Sequence, residues 1–165
     1  MNNNKYSFIQ NQLENIVINA VNAFNENEKY LIENRLSERC MCARFAMHLT
    51  KALTNTPFSD YIVDVEYNRG ARGHTYEIKR SNNRPITVDL IVHKRGYDPH
   101  LGFDNLVCME MKVSTDRRGC TDNEERLEIM TNINNYFCYK IGFMLLVNME
   151  RNKKCLEIKR KFVLH

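Results

Sequence analysis

The amino-acid sequence predicts one α/β domain, with a mixed central sheet flanked by helices and an extra helix at the N-terminus. Three observations lead there. The elements read in the order helix, helix, three strands, helix, strand, with a further strand after that. The run FMLLVNM at residues 143–149 is apolar almost throughout, the pattern of a strand covered on both faces. The 165 residues contain no Gly/Ser/Pro-rich linker and no internal repeat, so a single core is expected to serve the whole chain. Residues 1–34 read as an N-terminal helical extension, 35–150 as an αβββαβ core and 151–165 as a basic C-terminal strand or tail.

Each element has its own signal. Residues 6–25 place Ile9, Leu13, Ile16, Val17, Ala20 and Phe24 on one helical face. This helix is expected to pack on the core, with a dimer contact as the alternative. Residues 26–34 read as a polar connection. A second helix, 35–54, carries a buried stripe of Cys42, Phe45, Leu49 and Leu53. Four residues before Cys42 stands Glu38, so an acid extends that stripe at the helix start, where negative charge is in any case favoured.

YIVDVEYN, at 61–68, alternates as a strand does. RGARG follows as a glycine-punctuated turn, and HTYEIKR reads as the returning arm of a hairpin. RPITVDLIVH, at 84–93, is the next strand, with Ile86, Val88, Leu90 and Val92 on one face and Thr87, Asp89, Ile91 and His93 on the other. A polar loop containing Gly96, Pro99 and Gly102 leads into NLVCMEMKVS, at 105–114. TDNEERLEIMTNINNYF, at 121–137, reads as a helix in which Thr121 and Glu124 resemble a capping box. Its stripe is Leu127, Met130, Ile133 or Asn134, and Phe137. After the apolar strand, KCLEIKRKFVL alternates as an edge strand would.

Composition narrows the class. With 43% hydrophobic and 27% charged residues, the chain resembles an ordinary soluble protein. No apolar run approaches the roughly 20 residues that span a bilayer, and MNNNKYSF lacks a signal-peptide layout. A cytoplasmic location with no membrane partner is expected. The six cysteines show no C-x-x-C and no zinc-like pairing with histidine, so they are expected to be reduced thiols, mostly buried. The net charge of +4 permits a polyanionic partner without demanding one. Arg69, Arg72, Lys79, Arg80, Arg84, Lys94 and Arg95 crowd one region, and Arg151, Lys153, Lys154, Lys159, Arg160 and Lys161 another. About half of these are expected to be plain surface charge.

The oddest feature is an acid and a base two apart in an apolar strand, Glu110 and Lys112. The pattern itself says little, because Glu77/Lys79 and Glu157/Lys159 repeat it. Those two pairs sit among other basic residues and read as surface charge. Glu110 and Lys112 instead share their face with Leu106 and Cys108, opposite Val107, Met109, Met111 and Val113. The preceding strand carries an equally isolated Asp89. If 84–93 and 105–113 pair antiparallel, Asp89 lies beside Glu110. Two such carboxylates repel, and each loses solvation unless a cation or proton neutralises it. Two carboxylates completed by water suit Mg²⁺.

Asp89 followed by Glu110-Met111-Lys112, on RPITVDLIVHKRG and LVCMEMKVS, resembles the PD-(D/E)XK nuclease superfamily. Glu38 within SERCMCARFAMHL belongs to the resemblance, as does VDVEYNRG as the strand before the catalytic hairpin. It covers residues 35–150, and the element order read above is that superfamily's restriction-endonuclease-like αβββαβ core. One feature departs from the pattern, since Pro85 lies four residues before Asp89.

The resemblance implies a Mg²⁺-dependent nuclease, Mn²⁺ substituting, with Glu38, Asp89, Glu110 and Lys112 as catalytic residues. Asp89, Glu110 and the Met111 backbone carbonyl would hold the metal, with Glu38 joining directly or through water. Lys112 would orient or help deprotonate the attacking water, or neutralise charge on the phosphate in the transition state. The implied partner is nucleic acid, with DNA favoured over RNA. Arg69, Arg72, Lys79, Arg80, Arg84, His93, Lys94 and Arg95 are candidates to grip its backbone. For His93 an exposed surface position is the favoured reading. Arg44 lies off the Glu38 face and reads as structural. A homodimer and a regulatory protein partner stay open, as does a non-catalytic nucleic-acid-binding or scaffold protein on the same fold.

Overall fold

A computed structural model describes residues 3–71, 74–78, 80–81, 84–95, 105–114, 120–135, 137–149 and 155–164, with side chains from residue 7 and without those of 70–81 and 120–121. Among the described residues lie four helices and nine strands. In chain order they are α1 (Asn3–Asn27), α2 (Lys29–Glu33), α3 (Glu38–Leu53), β1 (Ile62–Val65), β2 (Arg69–Ala71), β3 (His74–Ile78), β4 (Arg80–Ser81), β5 (Arg84–Pro85), β6 (Leu90–His93), β7 (Asn105–Val113), α4 (Cys120–Thr131), β8 (Ile141–Val147) and β9 (Leu156–Val163).

The central sheet runs β1-β6-β7-β8-β9. Its pairs are antiparallel except β7 and β8, which are parallel. A parallel pair needs a crossover, and α4 lies within it. The sheet is therefore mixed, as the sequence predicts. Two separate hairpins, β2–β3 and β4–β5, are inserted between β1 and β6; of HTYEIKR, His74–Ile78 returns as the second arm of the first, and Arg80 opens the second hairpin.

Helices cover both faces of the sheet. On one face, Leu13, Val17, Ala20 and Phe24 of α1 and Met41, Phe45 and Leu49 of α3 pack with Leu90, Met109, Met111, Phe143 and Leu145. Phe24 and Phe45 meet edge to face with centroids 6.0 Å apart, and truncating Phe45 to Ala would cost ~3–5 kcal/mol. On the other face, Leu127 and Met130 of α4 pack with Ile91, Cys108, Met144 and Phe162. This is why β8 is apolar on both sides. Gly142 lets α4 approach it, since a Cβ there would stand 3.2 Å from both Cys108 Sγ and Thr131 Cγ2. At the outer edge of β9, Asn25 of α1 uses both ends of its amide on Leu156: Nδ2 donates to the Leu156 carbonyl at 2.8 Å, and Oδ1 accepts the Leu156 N–H at 2.7 Å.

Several expectations need correction. The connection read at 26–34 contains the short helix α2. The second helix begins at Glu38 rather than 35, because Ser37 caps it by accepting the Cys40 N–H at 3.3 Å. The strand read over 84–93 is split into β5 and β6 by a bend at Asp89. Ile86 and Val88 consequently pack on the α4 side, while Leu90 and Val92 face α1 and α3. The third long helix stops at Thr131, whose hydroxyl donates back to the Leu127 carbonyl at 2.9 Å. Ile133 is 56% exposed, and Phe137 reaches the core from outside the helix. Thr121 lies inside α4 rather than ahead of it, its side chain is outside the described residues, and Glu124 pairs with Arg160 at 2.5 Å. Of the cysteines with described side chains, Cys42 and Cys108 are buried, while Cys40, Cys138 and Cys155 are half-buried. None of the described helices is long and apolar enough to cross a membrane.

Candidate active site

The register of β6 on β7 pairs Leu90 with Met109, so the next positions out, Asp89 and Glu110, come side by side as the alternation predicts. The bend at Asp89 is held by its own backbone and side chain. Its carbonyl accepts the Glu66 N–H at 3.0 Å, and its Oδ2 accepts the Met111 N–H at 2.7 Å. A side chain thus completes the ladder where the strand backbone leaves off.

Glu110 is 1% exposed. Arg126 of α4 donates from Nε to Glu110 Oε1 at 2.5 Å and from Nη2 to Asn123 Oδ1 at 2.6 Å. Burial pushes the Glu110 carboxyl up to about 8. The Arg126 hydrogen bond opposes that rise, and the charge and hydrogen bond of Asp89 reinforce it. Burial is the main cause of the rise, and the nearby Asp89 adds to it.

Lys112, two residues along the same face, points its Nζ to within 3.9 Å of Glu38 Oε1, an ion-pair distance longer than a hydrogen bond. One turn further along α3, Cys42 Sγ sits 3.6 Å from Met111 Sδ. Its thiol is pushed well up by burial, then by the charges of Asp89, Glu38, Glu110 and Glu66. This end of the sheet is a region of concentrated negative charge. Among the described residues, however, no group of three His, Cys, Asp or Glu side chains gathers closely enough to hold an ion. Glu38 stands with Lys112, and Asp89 stands with Glu110.

The basic candidates divide. His93 is buried at 3% exposure, which corrects its reading as a surface histidine. Its Nε2 lies 2.8 Å from Asp64 Oδ2, and its ring lies 4.6 Å from that of Tyr67. Arg95 clasps the same Asp64 with Nε and Nη2. The Arg95 hydrogen bond, against the effect of burial and with help from His93, holds the Asp64 carboxyl below its usual range. Lys94 pairs with Asp60 at 2.5 Å and stacks on Tyr61. Arg69 and Arg84 are exposed. Arg72 and Lys79 lie outside the described residues, as does the side chain of Arg80. Arg44 is structural as read: with His48 it binds the buried Glu28, Nη2 to Oε1 at 2.6 Å and His48 Nε2 to the same oxygen at 2.9 Å.

Arg126, Asn123 and Asp64 escape sequence reading. One signal for Asn123 and Arg126 was present. Asn123 lies four residues before Leu127, on the buried stripe of α4, and is 3% exposed. A polar residue on that stripe needs a partner, which is the Arg126 guanidinium.

Fold and site together define an α/β protein with a mixed five-stranded sheet and, at a strand bend, a half-buried Asp89 beside a buried Glu110. Compared with protein-family models, with curated proteins and with solved structures, the chain matches none.

Proposed function

We propose that the protein is a Mg²⁺-dependent nuclease that hydrolyses phosphodiester bonds in nucleic acid, on a restriction-endonuclease-like core akin to the PD-(D/E)XK enzymes. The observation that carries this reading is the Asp89–Glu110 pair with Lys112 on the same face. The order α3, β1, β6, β7, α4, β8 supports it as the αβββαβ order of that superfamily.

Carboxylate and carbonyl oxygens are the donor type that a small hard cation takes, though no three acidic side chains gather here among the described residues. Two carboxylates stand at adjacent positions, and one is too buried to keep its charge unaided. Asp89 and Glu110, with the Met111 carbonyl, would hold Mg²⁺ or Mn²⁺; Glu38 would join only through water. When bound, the ion supplies phosphate neutralisation and a more acidic water. Asp89 is pre-set by its bond to the Met111 N–H. Glu38 positions the Lys112 ammonium, which faces the phosphate and stabilises the charge that builds there. A DNA substrate, a homodimer for cutting both strands and a regulatory protein partner extend this reading.

The test compares wild type with Glu110→Ala on single- and double-stranded DNA and RNA, with Mg²⁺ or EDTA. Wild type should cleave with Mg²⁺ alone, and the variant should not. Unchanged cleavage by Glu110→Ala sinks the assignment.

A second reading, a non-catalytic nucleic-acid-binding or scaffold protein on the same fold, is favoured by one observation: Arg126 already occupies Oε1 of Glu110. It predicts nucleic-acid binding without cleavage under any metal.

A further inference from the structure

Three features of the ion pair set Arg126 apart from an ordinary surface charge. Glu110 is almost wholly buried, so water does not solvate its ionised form; burial favours the protonated acid and the Arg126 hydrogen bond opposes that by favouring the carboxylate. Arg126 contacts it at 2.5 Å through Nε, leaving Nη2 for the buried Asn123 at 2.6 Å. The guanidinium is thus held at two points, which fixes its plane. Its charge also acts on Asp89 and Asp122. Meanwhile Asp89 is satisfied by the Met111 N–H. Both carboxylates of the candidate site therefore have protein partners of their own.

We infer that Arg126 is a resident counter-ion that competes with the divalent cation for Glu110, so that the metal enters by displacing the guanidinium. This rests on the nuclease reading and deepens it, by assigning the site a built-in control over metal affinity. Side-chain charge at residue 126 sets how much metal the site needs. Asn123 is a positioning residue, holding the guanidinium against Glu110. The Arg126 side chain is one-third exposed, so it can swing towards solvent without moving α4, whose core contacts run through Leu127 and Met130.

The experiment is a calorimetric titration of the full chain with Mn²⁺, using wild type, Arg126→Gln, Arg126→Lys and Asp89→Ala. Melting of each is followed with and without the metal. Arg126→Met, which keeps the apolar stem, serves if the Gln variant does not fold. The expected result is Asp89-dependent binding that is weak in wild type and Arg126→Lys, and at least about tenfold tighter in Arg126→Gln. The Gln variant should melt lower than wild type without metal and recover when Mn²⁺ is added. Equal Asp89-dependent affinity in wild type and Arg126→Gln overturns the competition while leaving the metal site standing. Equal tightening by Lys and Gln overturns it too, since the charge would not be the competitor. Absence of Asp89-dependent binding in every variant removes the metal site and the inference together.

Discussion

Asp89 and Met111 are joined by a hydrogen bond from a backbone N–H to a carboxylate oxygen, 2.7 Å long, at the point where β6 bends away from β7. A charged acceptor makes this one of the stronger bonds available to a strand edge. Asp89→Ala should lose about 1.5–3 kcal/mol of stability. Asp89→Asn keeps an acceptor and should lose clearly less, while cleavage disappears in both. Urea denaturation of the two variants beside a nuclease assay checks this; equal destabilisation would show that the bond contributes nothing.

Glu110 makes stability depend on pH in an unusual direction. Its folded pKa of about 8 lies above the ordinary 4.5, so between those values the folded chain holds a proton that the unfolded chain releases. The contribution is full below 4.5, falls as pH rises, and is gone above about 8. Glu110→Gln should flatten that slope. Denaturation free energies from about pH 5 to 9 decide it: parallel curves for wild type and variant would refute the assignment.

Asp64 works the opposite way. Its pKa lies below 3.8 when folded, so its stabilisation is present above that value and is lost as pH drops through the folded pKa. Asp64→Ala should remove this acid sensitivity. It should also destabilise the fold, because the buried His93 loses its partner and the exposed Arg95 guanidinium loses a contact. Acid titration followed by tryptophan-independent circular dichroism reads both effects.

Gly142→Ala should destabilise by ~1–3 kcal/mol. The added methyl meets Cys108 Sγ and Thr131 Cγ2 at 3.2 Å and Phe162 Cβ at 3.4 Å, atoms of three different elements that hold α4 on the sheet. Combining it with Cys108→Ala should recover part of the loss. A double variant no more stable than Gly142→Ala would place the strain elsewhere.

Much of the architecture is legible because it follows from periodicity. Leu13, Val17 and Phe24, or Phe45 and Leu49, recur as a helix requires, and the apolar β8 predicts its two covered faces. The adjacency of Asp89 and Glu110 is legible for the same reason, since antiparallel pairing converts spacing into contact. What escapes depends on partners distant in sequence. His93 reads as exposed because nothing near it in the chain reveals Asp64 on β1. Arg126 lies in NEER, which looks like a solvated helix face until α4 docks over Glu110. The parity of Ile86 and Val88 is misread because a side-chain hydrogen bond bends the strand at Asp89, and hydrophobic alternation carries no sign of such a bend.

The contact between Asn25 and Leu156 has a consequence for how copies of this chain can meet. A β-strand at the rim of a sheet offers unpaired N–H and C=O groups as a template for another strand. On β9 the outward pair at Leu156 is already taken, because one amide side chain reproduces the donor and acceptor of a neighbouring strand. The helix thereby stands in for a sixth strand over a single residue. Past Leu156, β9 carries the exposed Lys159, Arg160 and Lys161, of which Arg160 pairs with Glu124 and Lys161 with Glu14, so long charged side chains line the rest of that rim and discourage edge-to-edge growth.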